Sequence, residues 1–240
     1  MFFNYRKRKS LLMFSGGRDS YLAACKLIEA GFCVEMITFD NGCTHNLERV
    51  KDVANTIVKK YGKQNAKYVG IWPVSWQISI LDETKQYKTM KELYFKYPEL
   101  KLYETTCLCC RTAMYVEAIA YAKAKGIPYI AEGARKSQSF FVELDEMKHN
   151  YSQLCKKHGI QLIWPVYRLT SDTKRKIEIG RRGLLTKTLE PQCHIGRHQR
   201  KELTESERKS LNDFFCFELR PLLDKMIKED AKSIRASKCL

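Results

Sequence analysis

Leu11-Leu12-Met13-Phe14-Ser15-Gly16-Gly17-Arg18-Asp19-Ser20 is the stretch that decides the fold. Its four consecutive apolar residues read as a buried strand, and Ser20 to Ala30, closed by Gly31, reads as a helix. Between them lies SGGRDS, at a strand-to-helix junction where backbone N–H groups and a helix N-terminus converge on an anion. Two adjacent glycines let the backbone approach phosphate oxygens, while Ser15 and Ser20 add hydroxyl donors. Asp19 suits a magnesium ion that neutralises those phosphates. The glycine spacing matches neither a Walker loop nor a dinucleotide GxGxxG.

Working outward, strands and helices alternate. Cys33 to Phe39 reads as a second strand, a helix follows from about Asn46 to Tyr61, and Lys67 to Trp72 is a third strand. Trp76 to Leu102 breaks the rhythm and reads as an insertion, about 76–106. The rhythm resumes with a helix from Arg111 to Lys125, a strand from Pro128 to Glu132 and a helix from Phe141 to His158. Gln161 to Trp164 is the fifth strand and Thr173 to Arg181 a short helix. Thr204 to Ala231 is a long amphipathic helix broken near Pro221, within a C-terminal extension spanning 204–240. This order predicts one α/β domain over residues 1–240, with a parallel five-stranded sheet and helices on both faces.

Composition sets the bounds. The 240 residues are 44% hydrophobic, which supports a sizeable core and excludes global disorder. No stretch approaches the roughly 18 apolar residues needed to span a bilayer, and the apolar run of the basic N-terminus is too short for a signal peptide. A net charge of +16 suits a polyanionic partner such as RNA, or a nucleotide; a lysine-rich soluble surface explains it equally. Ten cysteines without a secretory signal fit a reducing, cytoplasmic setting, where thiols act as metal ligands or nucleophiles.

SGGRDS resembles the SGGxDS signature of the PP-loop ATP pyrophosphatases, the adenine nucleotide alpha hydrolases. The resemblance covers roughly Leu11 to His198 and implies a Rossmann-like (HUP-type) sheet. It also implies cleavage of ATP between its α and β phosphates: a substrate carbonyl oxygen attacks the α phosphate, pyrophosphate leaves, and a second nucleophile displaces AMP. On that resemblance Ser15, Gly16, Gly17, Asp19 and Ser20 bind pyrophosphate and magnesium. Phe39 and Asp40 line the adenine and ribose, and Gly133 lets the ligand approach. Lys174 stands in for the phosphate-binding lysine of the "PL…LTK" segment, which here reads Pro165-Val166-Tyr167-Arg168-Leu169-Thr170-Ser171. Asp40 as a turn residue before Gly42, and Lys174 as a solvent-facing lysine, are the competing structural readings. Arg135 or Lys136 could face phosphate or simply carry surface charge.

Cys107-Leu108-Cys109-Cys110 forms a CxxC before a predicted helix, where a thiolate is favoured. With the distant Cys193 it resembles the iron–sulfur type of tRNA thiolase, in which three cysteines hold a [4Fe–4S] cluster. Carried over, Cys107, Cys110 and Cys193 are the ligands, and the sulfur donor is sulfide or a persulfide carrier. Zinc, or no metal with a persulfide on Cys107 or Cys110 resolved by Cys193, are the alternatives. His194 and His198 are weaker zinc candidates, and Cys43 is a minor candidate for a mobile sulfur carrier. Cys25, Cys33, Cys155 and Cys216 read as core thiols.

The expected function is therefore ATP-dependent replacement of a carbonyl oxygen by sulfur, on a nucleobase in tRNA or on a small carbonyl-bearing substrate. An ammonia-using ligase of the 7-cyano-7-deazaguanine synthase type is the alternative. No membrane partner is expected, and a homodimer is among the expected assemblies.

Overall fold

In chain order the structure runs β1 (Arg8–Met13), α1 (Arg18–Glu29), β2 (Phe32–Asp40), β3 (Thr44–His45), α2 (Val50–Tyr61), β4 (Ala66–Pro73) and α3 (Leu102–Lys125). It continues β5 (Tyr129–Glu132), α4 (Asp145–Lys157), β6 (Gln161–Ile163), α5 (Asp172–Arg181), β7 (Gln192–Cys193) and α6 (Glu205–Asp213). This computed structural model describes residues 8–74, 95–138, 143–183, 192–193, 202–220, 223, 226–228, 231 and 234. Most of the expected insertion (76–94), the expected break at Pro221, and His194, His198 and Cys239 lie outside the described residues.

Leu11 and Met13 join one core while Leu12 and Phe14 join the other, the period-two alternation of a strand buried on both faces. The sheet order is β4-β2-β1-β5-β6, and every pairing is parallel. One face is covered by α1, α2 and Ile179 of α5. The other is covered by α3, α4, Leu211 of α6 and the phenylalanines that follow it. The expected five-stranded parallel α/β fold with helices on both faces is the fold of the chain.

Four features of the elements stand out against expectation. Helix α3 begins at Leu102 rather than Arg111, with the Glu104 carboxylate accepting the Lys101 N–H at 3.0 Å at its start. CxxC therefore lies inside a helix, not before one: buried packing of Leu108, Cys110, Ala113 and Tyr115 overrides the weak local signal. Helix α4 begins at Asp145 rather than Phe141. After α6 the chain widens into a π-helical turn, Phe214–Leu219, in place of one uniform helix. That wider turn gathers Phe214, Phe215 and Leu219 onto the core. The fourth difference is an addition, a small antiparallel ribbon in which Thr44 of β3 pairs with Cys193 of β7.

Topology locates the site. From the central β1 the chain builds outward through β2 and β4, then crosses back to add β5 and β6 on the other side. Such a reversal opens a crevice at the carboxyl ends of β1 and β5. Gly16 and Gly17 sit there, with Gly16 at φ +74°, a left-handed conformation that disfavours a side chain. Gly133 follows β5 so closely that a Cβ on it would lie 2.7 Å from Ser20 Cα.

Candidate active site

The glycine loop is stitched by its own serines. Ser20 Oγ donates to the Gly17 carbonyl at 2.9 Å, Ser15 Oγ donates to Ser20 Oγ at 3.2 Å, and Gly17 N–H reaches Ser15 Oγ at 3.4 Å. Gly17 is the N-cap of α1 and makes no side-chain cap bond, so the first turn of the helix presents its backbone N–H groups to the crevice.

Asp19, in the first turn of α1, is held by two guanidinium groups. Arg135 Nε donates to Oδ2 at 2.9 Å, while Arg175 Nη1 reaches Oδ1 at 3.1 Å and Oδ2 at 3.2 Å. Arg135 and Arg175 have side chains only 5% and 6% exposed. Asp172 bridges both from the solvent side at 3.2 and 3.3 Å. Asp19 therefore does not stand ready as a lone magnesium ligand: arginines supply positive charge to both of its oxygens. Arg135 was legible as one of two basic candidates after β5. Arg175 was missed, because nothing in TKRK says which residue the helix turns inward.

The other nucleotide candidates divide. Lys174 is exposed on α5, its backbone N–H capped by Ser171, and it is the next residue, Arg175, that turns to the loop. Phe39 is buried in the core beside Leu11 and Ile37. Asp40 Oδ1 accepts the Gly42 N–H at 2.8 Å, so it closes a turn at the strand end. Gly133 makes room for the backbone of α1 itself, whatever else approaches it.

The cysteines meet beyond the end of β2. Cys107 and Cys110, one helical turn apart on α3, share a face. The β3–β7 ribbon carries Cys193 to them. One amide binds two of the sulfurs: Asn41 Nδ2 is 3.3 Å from Cys110 Sγ and 3.8 Å from Cys193 Sγ. Asn41 Oδ1 accepts the Cys43 N–H and the Thr44 hydroxyl, both at 2.9 Å, which fixes the amide with its N–H₂ toward the sulfurs. Asn41 carried no sequence signal, since its role exists only once β7 docks. Cys43 also interacts electrostatically with Cys110.

Burial pushes the Cys107 thiol up to about 11 and raises that of Cys110 as well. This corrects the expectation of a helix-start thiolate. The Asn41 amide and the Arg111 guanidinium pull Cys110 back toward its ordinary range, as Arg111 does for Cys107. Soft thiolates at this point suit an iron–sulfur cluster or zinc chemically. Among the described residues, no group of three or more His, Cys, Asp or Glu stands in ready metal-ligand geometry. Cys109 faces the opposite way, against the core, where burial pushes its thiol up to about 12. It should resist alkylation at pH 8 in the native protein and react on unfolding. Labelling of Cys109 at the rate of an exposed thiol, read by peptide mass spectrometry, contradicts this placement.

A buried polar cluster lies at the end of β5. Arg111 of α3 and the Tyr115 hydroxyl each bind one oxygen of Glu132, the last residue of β5. Tyr115 stacks on Tyr151 at 4.2 Å. Glu143, 6% exposed, interacts electrostatically with Arg111 and Glu132, and with Asp19 and Arg135 on the loop side.

Comparison with known proteins adds the following. The sequence model of the family described as thiamine biosynthesis protein (ThiI) matches residues 6–148. No curated protein sequence matches the chain. A solved 4-thiouridine synthetase, in complex with RNA and with bound ATP, superposes with a TM-score of 0.64 at 16% identity, over 94% of this chain and 54% of that one. The chain thus spans about half the length of that structure. A predicted subunit of tRNA methyltransferase from Methanocaldococcus jannaschii DSM superposes at 0.45 and 16% identity, over 72% of this chain and 74% of that one. Among the described residues no helix is long and apolar enough to cross a membrane.

Proposed function

We propose, from the premise that the chain belongs to the thiamine biosynthesis protein (ThiI) family, that it uses ATP to replace a carbonyl oxygen of an RNA nucleobase by sulfur. The observation that carries this reading is the shared Asn41 amide: it joins Cys110 to the sequence-distant Cys193 beside the crevice that bears the glycine loop. The likeness to a 4-thiouridine synthetase captured with RNA and ATP supports a uridine-type carbonyl as substrate. So does the charge of +16, since phosphate contacts supply salt-dependent affinity.

In the first step Gly16, Gly17 and the N-terminus of α1 cradle the phosphates, with Arg135 and Arg175 supplying charge nearby. The substrate oxygen attacks the α phosphate, the bond to the β phosphate breaks and pyrophosphate leaves. Alignment and charge neutralisation carry this step. A magnesium ion arriving with ATP would be held largely by phosphate oxygens and water.

In the second step a persulfide on Cys110, loaded by a persulfide carrier, attacks the adenylated carbon through its terminal sulfur, and AMP leaves. Cys193 then attacks the Cys110 sulfur, releasing the thiolated base and leaving a Cys110–Cys193 disulfide for an external dithiol to reduce. The Asn41 N–H groups stabilise the sulfur anions. An iron–sulfur cluster, if bound, would be held by Cys107, Cys110 and Cys193 and would supply an open iron for hydrosulfide.

The test separates the two steps. With an unmodified tRNA transcript, Cys110→Ser and Cys193→Ser should still release pyrophosphate but incorporate no sulfur, while Cys109→Ser keeps both. Undiminished thiolation by Cys110→Ser removes the sulfur role of this centre. Release of ADP and phosphate removes the adenylation. Amination of the carbonyl when ammonia is supplied moves the ligase reading to first place.

A further inference from the structure

A pocket of about 330 Å³ opens beside the turn that follows β6. Lys26 of α1 and Lys148 of α4 line it from two helices, and the turn contributes Trp164, Tyr167 and Arg168. Neither the glycine loop nor the cysteines take part in its lining. The turn is held rigid by its own backbone, with Tyr167 N–H on the Trp164 carbonyl at 3.4 Å and Leu169 N–H on the Val166 carbonyl at 2.9 Å.

The lining combines an aromatic surface with positive charge. Trp164 is partly exposed and meets Tyr167 with ring centroids 5.6 Å apart. Its Nε1 is buried without a partner, so the indole meets a ligand through its ring and not through its N–H. Tyr167 is a fixed wall, its hydroxyl spent on the Glu143 carbonyl and on Asp145 at 3.0 and 2.9 Å. Lys148 Nζ stands 4.3 Å from the centroid of the Tyr167 ring. Glu178 neutralises Lys26 at 2.6 Å, and Asp145 is further engaged by Lys136. Arg168 is exposed and makes no ion pair or hydrogen bond among the described residues. Lys148 and Arg168 therefore leave the pocket net positive.

That volume lies near the lower end of the range for ligand pockets, about 300–1,000 Å³, and suits one nucleotide. A stacking ring beside cations is the chemistry that binds a base together with its phosphate. The same turn is tied to the glycine loop through one side chain: Arg135 Nη1 donates to the Leu169 carbonyl at 3.3 Å, and its Nε to Asp19 at 2.9 Å. Lys136 N–H also donates to the Tyr167 carbonyl at 3.1 Å. A strand whose target base enters the crevice thus has this pocket as its next recess. We infer that the pocket holds a nucleotide of the RNA flanking the target base, its base against the Trp164 ring and its phosphate on Arg168 and Lys148. This rests on the RNA reading above and gives it a contact surface.

The experiment titrates the full chain with an unmodified tRNA transcript at several salt concentrations, by anisotropy and by tryptophan emission. Trp164→Leu should weaken binding about 5- to 150-fold, and Trp164→Phe should keep most of the affinity. Arg168→Gln should weaken binding and reduce the slope of log affinity on log salt by about 0.7, the value of one single-strand phosphate contact. Its thermal midpoint should not change, so it decides the matter if Trp164→Leu fails to fold. The transcript should quench the emission of the wild type, and that quenching should be lost in Trp164→Phe. Wild-type affinity and salt slope in Arg168→Gln overturn the assignment. Equal quenching by heparin or polyglutamate overturns it too, showing a site for charge alone, and equal quenching by ATP shows a site for a free nucleotide. Should the variants bind and thiolate the transcript as wild type does, this pocket is wrong and the RNA reading stands. A wild type that binds no transcript, yet releases pyrophosphate with a free nucleobase, overturns both.

Discussion

Asp19→Ala should unfold at a markedly lower temperature and release no pyrophosphate. A loop carboxylate read from sequence alone would be expected to matter to ATP and little to the fold. Its surroundings reverse that expectation. Asp19 is 12% exposed at its side chain and is the shared acceptor of Arg135 and Arg175, which are more deeply buried still. Removing it strands two guanidinium groups with Asp172, 65% exposed, as their remaining acidic neighbour among the ion pairs. Breaking a buried pair by deleting one partner costs about 3–5 kcal/mol. The interaction is shared, so deletions will not add. Asp19→Ala combined with Arg175→Met should therefore recover part of the lost stability. Denaturant unfolding of the single and double variants checks this. An Asp19→Ala protein as stable as wild type would falsify the arginine clamp.

The second large effect belongs to Gly133→Ala. A Cβ there would lie 2.7 Å from Ser20 Cα, 2.8 Å from Ser20 N and 3.1 Å from the Asp19 carbonyl carbon. All three are backbone atoms, so no side chain can rotate out of the way. Either α1 shifts away from β5 or the end of β5 bends, and both move the loop. Overpacking of this kind costs about 1–3 kcal/mol in stability. A displacement approaching 1 Å in a phosphate cradle costs about 10²-fold in rate. ATP affinity and the rate of pyrophosphate release should fall together. Gly159→Ala is a steric control, since its Cβ would meet nothing within 4 Å, although its φ of +74° makes it mildly strained. Equal behaviour of the two variants would show that the close approach of β5 and α1 carries no weight.

Local signals determined more of this protein than its boundaries suggest. The run Leu11 to Phe14 followed by SGGRDS was enough for the strand, the glycine turn and the helix, because burial on both faces and glycine-permitted backbone are local properties. Alternating strand and helix patterns then left a parallel sheet as the consistent topology. The pairing of Cys107 with Cys110 was also legible as a CxxC, although its place on one face of α3 was not. Where helix α3 starts was not: its first turns are held by core packing, and propensity there is weak.

Only the tertiary structure decided what each charged side chain does. Lys174 and Arg175 are adjacent cations in sequence, and the orientation of α5 on the sheet turns one out and the other onto Asp19. Asp40 closes a turn, while the neighbouring Asn41 meets the sulfurs, because the ribbon of Thr44 with Cys193 folds across the end of β2. Such assignments depend on contacts between segments far apart in the chain. A residue's type sets which interactions it can form; long-range packing selects the partner, since burial penalises every charge left without one.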